Sequence, residues 1–314
     1  MSRNCSGLQN RYLKPMKVRI YIITIVTSAL LLVSCHDRRA SDDQGRTSAC
    51  WIYAMLTCIE REAALHGDSI TLSRQWLMAK ELEEQTEWAY FNANANLNHC
   101  CLSMRGVGPE AIRLIERYGL IPYQNEKTEI TNSSVLERKL TLLARQALSL
   151  DDLHDRMKAL LPQFTLSPHG AFYYLSMRYN PYQFAESIMY RQHWQFITSV
   201  SYREYGTTFP LEVADNSRHH EYLNMPIDSL TSRVMTSLRA GHAVYWEYGK
   251  RTADGLVTSD HAMAIVGLRK SKEGKTMLLC KNSYGKEWGR NGTCLVSIDD
   301  FKKKTSNVGV LLDE

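Results

Sequence analysis

The chain has 314 residues, with 38 lysines and arginines against 33 acidic residues, and 44% of it is hydrophobic. That fraction is ordinary for a globular chain and excludes wholesale disorder, while the length allows one large catalytic unit with two packed lobes around a cleft. The net charge of +5 does not mark a nucleic-acid binder: five of the 38 basic residues (Arg3, Arg11, Lys14, Lys17, Arg19) fall in the acid-free residues 1–34, so the remainder balances 33 basic with 33 acidic, and it holds no basic helix, zinc-finger spacing or glycine-rich phosphate loop.

The N-terminus reads as an export signal. Met16-Lys17-Val18-Arg19 opens a short basic segment, residues 20–33 are almost wholly apolar, and Leu32-Val33-Ser34-Cys35 fits a bacterial lipobox. The apolar run is short for a membrane-spanning helix, and a small residue before cysteine favours cleavage with lipid attached to Cys35. Residues 1–34 are therefore expected to be a lipoprotein signal peptide and residues 35–43 a lipidated linker. The product would be lipid-anchored to a membrane of the bacterial cell envelope, facing the periplasm or the surface; an uncleaved N-terminal anchor is the alternative. Met16 is an alternative start.

Helices are expected over residues 50–90, with Leu72, Trp76, Leu77, Met78 and Leu82 near one face. Residues 91–108 read as a polar, Asn-rich loop with glycines. A helix follows from Pro109 to Tyr118 with its stop at Gly119, and another over residues 133–161, ended by Pro162. From Ala243 the period shortens toward two, giving strands near 243–248, 261–268, 276–282, 293–298 and 308–312. Of eight cysteines, Cys280 and Cys294 flank the hairpin that holds Asn282, where a cross-strand bridge and two buried free thiols are both open. His99-Cys100-Cys101 lacks a second Cys/His pair at ligand spacing, so no metal and no cofactor are expected.

Three motifs carry the chemistry. Gln44-Gly45-Arg46-Thr47-Ser48-Ala49-Cys50-Trp51 comes first, Asp260-His261-Ala262-Met263 follows far downstream, and Lys281-Asn282-Ser283-Tyr284-Gly285-Lys286-Glu287-Trp288-Gly289 comes last. Their order and residue types resemble the papain-like cysteine peptidases. A thiol attacks only as thiolate, so Cys50 is expected at the first turn of a buried helix, facing its positive end and an imidazolium, both of which lower its pKa. His261 would serve as ion-pair partner, general base and general acid, and the side-chain oxygen of Asn282 would orient its ring. Gln44 would offer its amide beside the Cys50 N–H as an oxyanion hole, and Trp288 would shield the His261–Asn282 bond. Ser48-Ala49 stands where relatives usually carry a glycine, and Tyr284 where many carry Trp.

Tyr179-Asn180-Pro181-Tyr182-Gln183-Phe184-Ala185, then Val213-Ala214-Asp215-Asn216-Ser217 and Tyr222-Leu223-Asn224-Met225-Pro226-Ile227-Asp228, are similar to the aminopeptidase C and bleomycin hydrolase branch. The resemblance implies an α+β papain-like two-lobe fold over residues 44–314. Cys50 would lie on a helical lobe, His261 and Asn282 on a β lobe, with a helical insertion at about 125–225 in which His193 and His219-His220 are surface or packing residues. It implies peptide substrates hydrolysed through a thioester, with Gly106, Val107, Gly108, Trp51 and Trp288 at the substrate wall. The nine steps from Cys35 to Gln44 leave no room for a long inhibitory propeptide. In that branch residues beyond the last strand occupy the cleft and admit only a free amino end. Here Asp313-Glu314 alone follow Leu312 and reach about 7 Å, so N-blocked peptides are expected to be cut unless the insertion at 125–225 closes the same end of the groove. A binding protein of the same fold with a decayed site, or an amidase acting on cell-wall peptide stems, are the alternatives; Asn282 and the aromatic shield argue against the amidase. Peptide preference and oligomeric state are not legible.

Overall fold

Helix formation begins at Cys50. α1 (Cys50–Leu65) contains no glycine or proline and buries Trp51, Ile52, Tyr53, Met55, Leu56, Cys58 and Ile59, so it is apolar on most sides and becomes the central helix of the molecule. The computed structural model describes residues 42–92, 101–125, 130–161, 170–212, 219–250 and 258–312, all inside one compact unit, 41–314. The export signal, Cys35, most of the linker, His99, Cys100, Pro162, the 213–217 motif and Asp313-Glu314 lie outside the described residues.

α2 (Arg74–Asn92) and α3 (Gly108–Tyr118) pack beside α1. Leu72, Trp76, Leu77, Met78 and Leu82 are all buried. The buried Arg74 guanidinium locks α2 to α1 by a two-pronged contact with Glu60, whose carboxylate also accepts the Leu72 N–H at 2.7 Å. Gly119 ends α3 at φ 72°, with Pro181 so close that a Cβ there would lie 2.2 Å from its carbonyl carbon. α4 (Ser133–Gln146) and α5 (Leu150–Leu160) follow, α5 capped by Ser149 on the Asp152 N–H.

The second half builds an eight-stranded sheet in the order β4-β5-β3-β10-β6-β7-β8-β9. Its strands are β3 (Trp194–Thr198), β4 (Thr208–Glu212), β5 (His219–Asn224), β6 (Val244–Tyr248), β7 (His261–Lys270), β8 (Thr276–Lys281), β9 (Thr293–Ser297) and β10 (Thr305–Leu311), all antiparallel to their neighbours except β3 with β5. A small hairpin, β1 (Phe172–Tyr174) with β2 (Met177–Tyr179), and α6 (Pro181–Ile188) precede it. Period-two alternation splits the sheet's side chains between two cores. Ala243, Tyr245, Ala262 and Ala264 face α1 and the first helices, while Val244, Trp246, Met263, Ile265, Leu278, Cys280, Val308 and Val310 pack with α7 (Ile227–Ala240) and α8 (Ile298–Lys304) on the other face. The two alanines let α1 lie close against β7.

The α+β expectation holds, with one change of boundary. Within 125–225, residues 133–160 are mainly helical, but 194–198, 208–212 and 219–224 are strands of the main sheet. The strand Trp194-Gln195-Phe196-Ile197-Thr198 is buried on both faces, Phe196 in the core around α1 and Ile197 in the core on the other side of the sheet, so its sequence carries no period-two alternation. Among the described residues no helix is long and apolar enough to cross a membrane.

Candidate active site

Cys50 is the first residue of α1. Ala49 precedes it with φ −94° and ψ 16°, ordinary angles for an alanine, and makes no side-chain cap. The first-turn N–H groups of α1 thus keep their positive end toward the thiol. The preceding loop is pinned on both sides. Gln44 N–H donates to the Ser283 carbonyl at 2.8 Å, Arg46 N–H to Thr131 at 2.8 Å, and Lys281 Nζ reaches Asp42 at 2.7 Å. Gly45 sits at φ 59° with Thr131 O only 2.8 Å from where a Cβ would be, which requires glycine. The loop carrying Gln44 is therefore tied directly to the loop that follows Asn282.

His261 opens β7, and its Nε2 meets Asn282 Oδ1 at 2.6 Å. The same Oδ1 accepts the Ser283 backbone N–H at 2.8 Å, which identifies it as the amide oxygen. Nε2 must then carry the hydrogen, leaving Nδ1 as the basic nitrogen. Tyr284 stacks on the imidazole at 4.9 Å between centroids and 24° between planes, and Tyr248 meets it edge-on at 5.7 Å. Trp288 packs on Tyr284, 6.2 Å away. The aromatic cover on His261 is thus Tyr284, with Trp288 behind it.

Cys50, His261, Gln44, Thr47, Ser48, Arg105, Gly106, Glu247, Ser259, Asp260, Ala262 and Tyr284 line one cavity of about 340 Å³. Gln44 is held at both ends of its amide: Oε1 accepts from the Ser283 hydroxyl and Nε2 donates to the Thr47 carbonyl, leaving a second N–H on Nε2. Gly106 lies on the wall. Val107 is nearly buried, and Gly108 turns its N–H to Glu247 at 3.0 Å. Trp51 is fully buried beneath this wall, its indole N–H on the Met104 carbonyl at 2.9 Å. It supports the substrate wall instead of lining it, because its ring fills the space where Gly106 would carry a Cβ.

The electrostatics differ from the sequence expectation of a lowered thiol pKa. Burial pushes the Cys50 thiol up to about 11, opposed by backbone N–H donation from Ala262 and then from Trp51 and Cys50, and reinforced by the Glu247 charge. Burial lowers the His261 imidazole, and Asn282 pulls it partly back. No hydrogen bond joins Cys50 to His261 in this structure. In an enclosed cleft both charged forms lose hydration, and that loss exceeds what the helix end and the backbone donors return.

Sequence reasoning did not single out Glu247, Ser259, Arg105 or Tyr248. Glu247 had a readable signal, an acidic residue in phase with buried Ala243 and Tyr245 along an apolar strand. As to metals, Glu81, Glu84 and Glu110 converge at ligand distance among the described residues. The Arg113 guanidinium occupies that convergence, 2.5 Å from Glu84 and 2.7 Å from Glu110, and His220 lies 2.9 Å from Glu110. It is an ion-pair network between α2, α3 and β5.

Residues 182–308 match the papain family cysteine protease model. Among solved structures, PepW from Lactobacillus rhamnosis aligns with a TM-score of 0.63 and 16% identity, over 86% of this chain and 79% of that one. A structure of mite allergens, Blo t 1 and Der p 1, aligns at a TM-score of 0.41 and 16% identity over 86% and 66% of the two chains. The proform of the ragweed pollen cysteine protease Amb a 11 aligns at 0.39 and 12% over 88% and 64%. No curated protein matches. Residues 182–308, which supply His261 and Asn282, are thus similar to the papain family cysteine proteases, and the chain shares the fold of PepW.

Proposed function

We propose that this enzyme hydrolyses peptide bonds through a thioester acyl-enzyme, as a member of the aminopeptidase C and bleomycin hydrolase branch held to a bacterial envelope membrane by lipid on Cys35. The observation that carries the chemistry is the Asn282-fixed tautomer of His261, which leaves a basic Nδ1 in the same cavity as a thiol at a helix N-terminus. On that reading, Cys50 Sγ attacks the substrate carbonyl carbon as its proton passes to His261. The carbonyl oxygen, now an oxyanion, accepts from the Cys50 N–H and the spare N–H of Gln44. His261 returns the proton to the departing amine as the C–N bond breaks, leaving a thioester. Water then attacks the thioester with His261 again as base, releasing the acid and restoring the thiol.

The test is covalent labelling by an epoxide or acyloxymethyl-ketone probe with mapping of the labelled residue. Label on Cys50 that is lost in His261→Ala supports the reading; an unlabelled Cys50 beside normal binding of peptides would instead favour a decayed binding protein, which the raised thiol pKa also fits. The anchor has its own test. Cys35→Ser should end fatty-acid incorporation while leaving the catalytic unit folded, and continued lipid labelling would reject Cys35 as the attachment point.

A further inference from the structure

Glu247 is 1% exposed, yet it belongs to the wall of the cavity that holds Cys50 and His261. It projects from β6 on the same face as Tyr245, opposite Ala262. Four donors surround its carboxylate. Oε1 accepts from the Gly108 N–H at 3.0 Å and the Tyr245 hydroxyl; Oε2 accepts from Ser259 Oγ at 2.6 Å and Asn307 Nδ2 at 2.8 Å. That is the full set an ionised carboxylate takes. All four donors are neutral, and among the described residues no lysine, arginine or histidine forms an ion pair with Glu247. Buried charge is ordinarily paired with opposite charge, and among the described residues no opposite charge balances this carboxylate.

The missing charge has a place to sit. Ser259 gives its hydroxyl hydrogen to Glu247, so the lone pairs of its Oγ remain to accept from an N–H donor entering the cavity. Asp260, next in the chain and exposed, adds a second carboxylate to the same wall. Arg105, exposed, is the cation among the same lining residues, and the lining carries more negative than positive charge even with it counted. Ser259 and Asp260 directly precede His261, so a group bound there belongs to a residue within about two positions of the bond that is cut, at about 3.3–3.6 Å per residue.

We propose that Glu247, through the Ser259 hydroxyl and with Asp260 at the rim, forms a subsite for a cationic nitrogen of the substrate. The nitrogen is either a lysine or arginine side chain near the scissile bond or the free α-amine of the peptide. The proposal rests on the peptidase reading for the identity of the ligand. The cation's attraction to Glu247 is carried by a hydrogen bond whose donor and acceptor are both polarised, which is where charge selectivity is largest.

The experiment is binding of a peptide set to the Cys50→Ala chain by calorimetry at low salt, which reads the subsite without turnover. The set carries lysine, norleucine or glutamate at each of the two residues preceding the scissile bond, each with a free or an acetylated amino end. At least one cationic form should bind about tenfold or more tighter than its neutral counterpart, the scale of a charge-assisted hydrogen bond, with glutamate weakest. Adding Glu247→Gln should shrink that ratio to about threefold or less by the same scale. Ser259→Ala should do the same, and it serves where the loss of the carboxylate prevents folding. Loss on acetylation assigns the α-amine; indifference to acetylation assigns the side chain. Equal binding of cationic, neutral and acidic peptides, or no binding by any of them, would overturn the subsite. Turnover of the same set by the parent chain separates the two claims: charge preference without turnover keeps the subsite and removes the peptidase reading, and turnover without charge preference does the reverse.

Discussion

Gly106→Ala is the sharpest test of how the substrate wall is built. A Cβ at Gly106 would stand 2.5 Å from Trp51 Cε2 and 2.7 Å from Cζ2. Carbon atoms in contact need about 3.5–4.0 Å, so wall and ring must part by about 1 Å. The ring is the worse candidate to move. It is fully buried on α1, one residue from Cys50, and its N–H is held by Met104 on the same loop. The loop therefore shifts outward, into the cavity that faces Cys50 and His261. Overpacking of this kind costs about 1–3 kcal/mol, and a displacement of about 1 Å at a reacting centre can cost about 10²-fold. We expect kcat/KM on a fluorogenic peptide to fall by about that factor and the melting temperature to drop by several degrees. Alkylation of Cys50 by a small reagent, which does not use the wall, should change little. A variant with unchanged kcat/KM would refute the reasoning, because it would mean that Gly106 does not set the position of the wall against the nucleophile.

Cys50→Ala and His261→Ala should each abolish turnover, measured with the same peptide, and Gln44→Ala should raise the barrier by about 2.7–4 kcal/mol, the cost of one lost oxyanion donor. Burial holds His261 below its ordinary 6.5, and the base works only when neutral. Activity should therefore persist below pH 6.5 and fail as pH drops through the lowered value; Asn282→Ala, which removes the bond pulling that value up, should move the acid limb further down in a pH profile of kcat/KM. Glu60→Ala leaves the Arg74 guanidinium buried without its partner and should cost about 3–5 kcal/mol in urea unfolding. Cys280 and Cys294 face each other across β8 and β9, and their hydrogen bond pulls Cys294 down to about 7 while pushing Cys280 up. Alkylation of the folded chain at pH 7 should mark Cys294 and spare Cys280.

The acting groups were legible because their chemistry restricts residue type. A thiol on an apolar helix, a histidine before an apolar strand and an asparagine in a turn leave few other readings once they occur in that order. The helices at 50–65 and 108–118 were legible for a local reason, apolar residues at helical spacing and a glycine stop at Gly119. The strand at 194–198 was not, because its pairing is nonlocal: β3 hydrogen-bonds to β10, more than a hundred residues later, and the parallel β3–β5 contact leaves no hairpin signal in the chain. The motif resemblance expects Trp288 to shield the His261–Asn282 bond, and the ring stacked on His261 itself is that of Tyr284. Its geometry depends on Gly285 at φ 72°, packed on Asp43, which turns the chain so that Tyr284 reaches the imidazole first.

The balance of charge in the cleft was illegible for a different reason. Composition gives an equal count of acids and bases beyond residue 34, but a count carries no position. The structure gathers Glu247, Asp260 and Arg105 with His261 in the lining of one cavity, two carboxylates against one guanidinium. Burial is the main upward push on Cys50 and Glu247 adds to it, so the same carboxylate that would attract a cationic substrate group contributes to disfavouring the thiolate. A cation seated at Ser259 would cancel part of that field where the thiolate forms. Alkylation of Cys50 by a neutral reagent should then be faster with a non-cleavable cationic peptide bound than with its norleucine counterpart, provided the reagent still has access. Equal rates at saturating peptide would show that Glu247 acts on the substrate alone and not on the nucleophile.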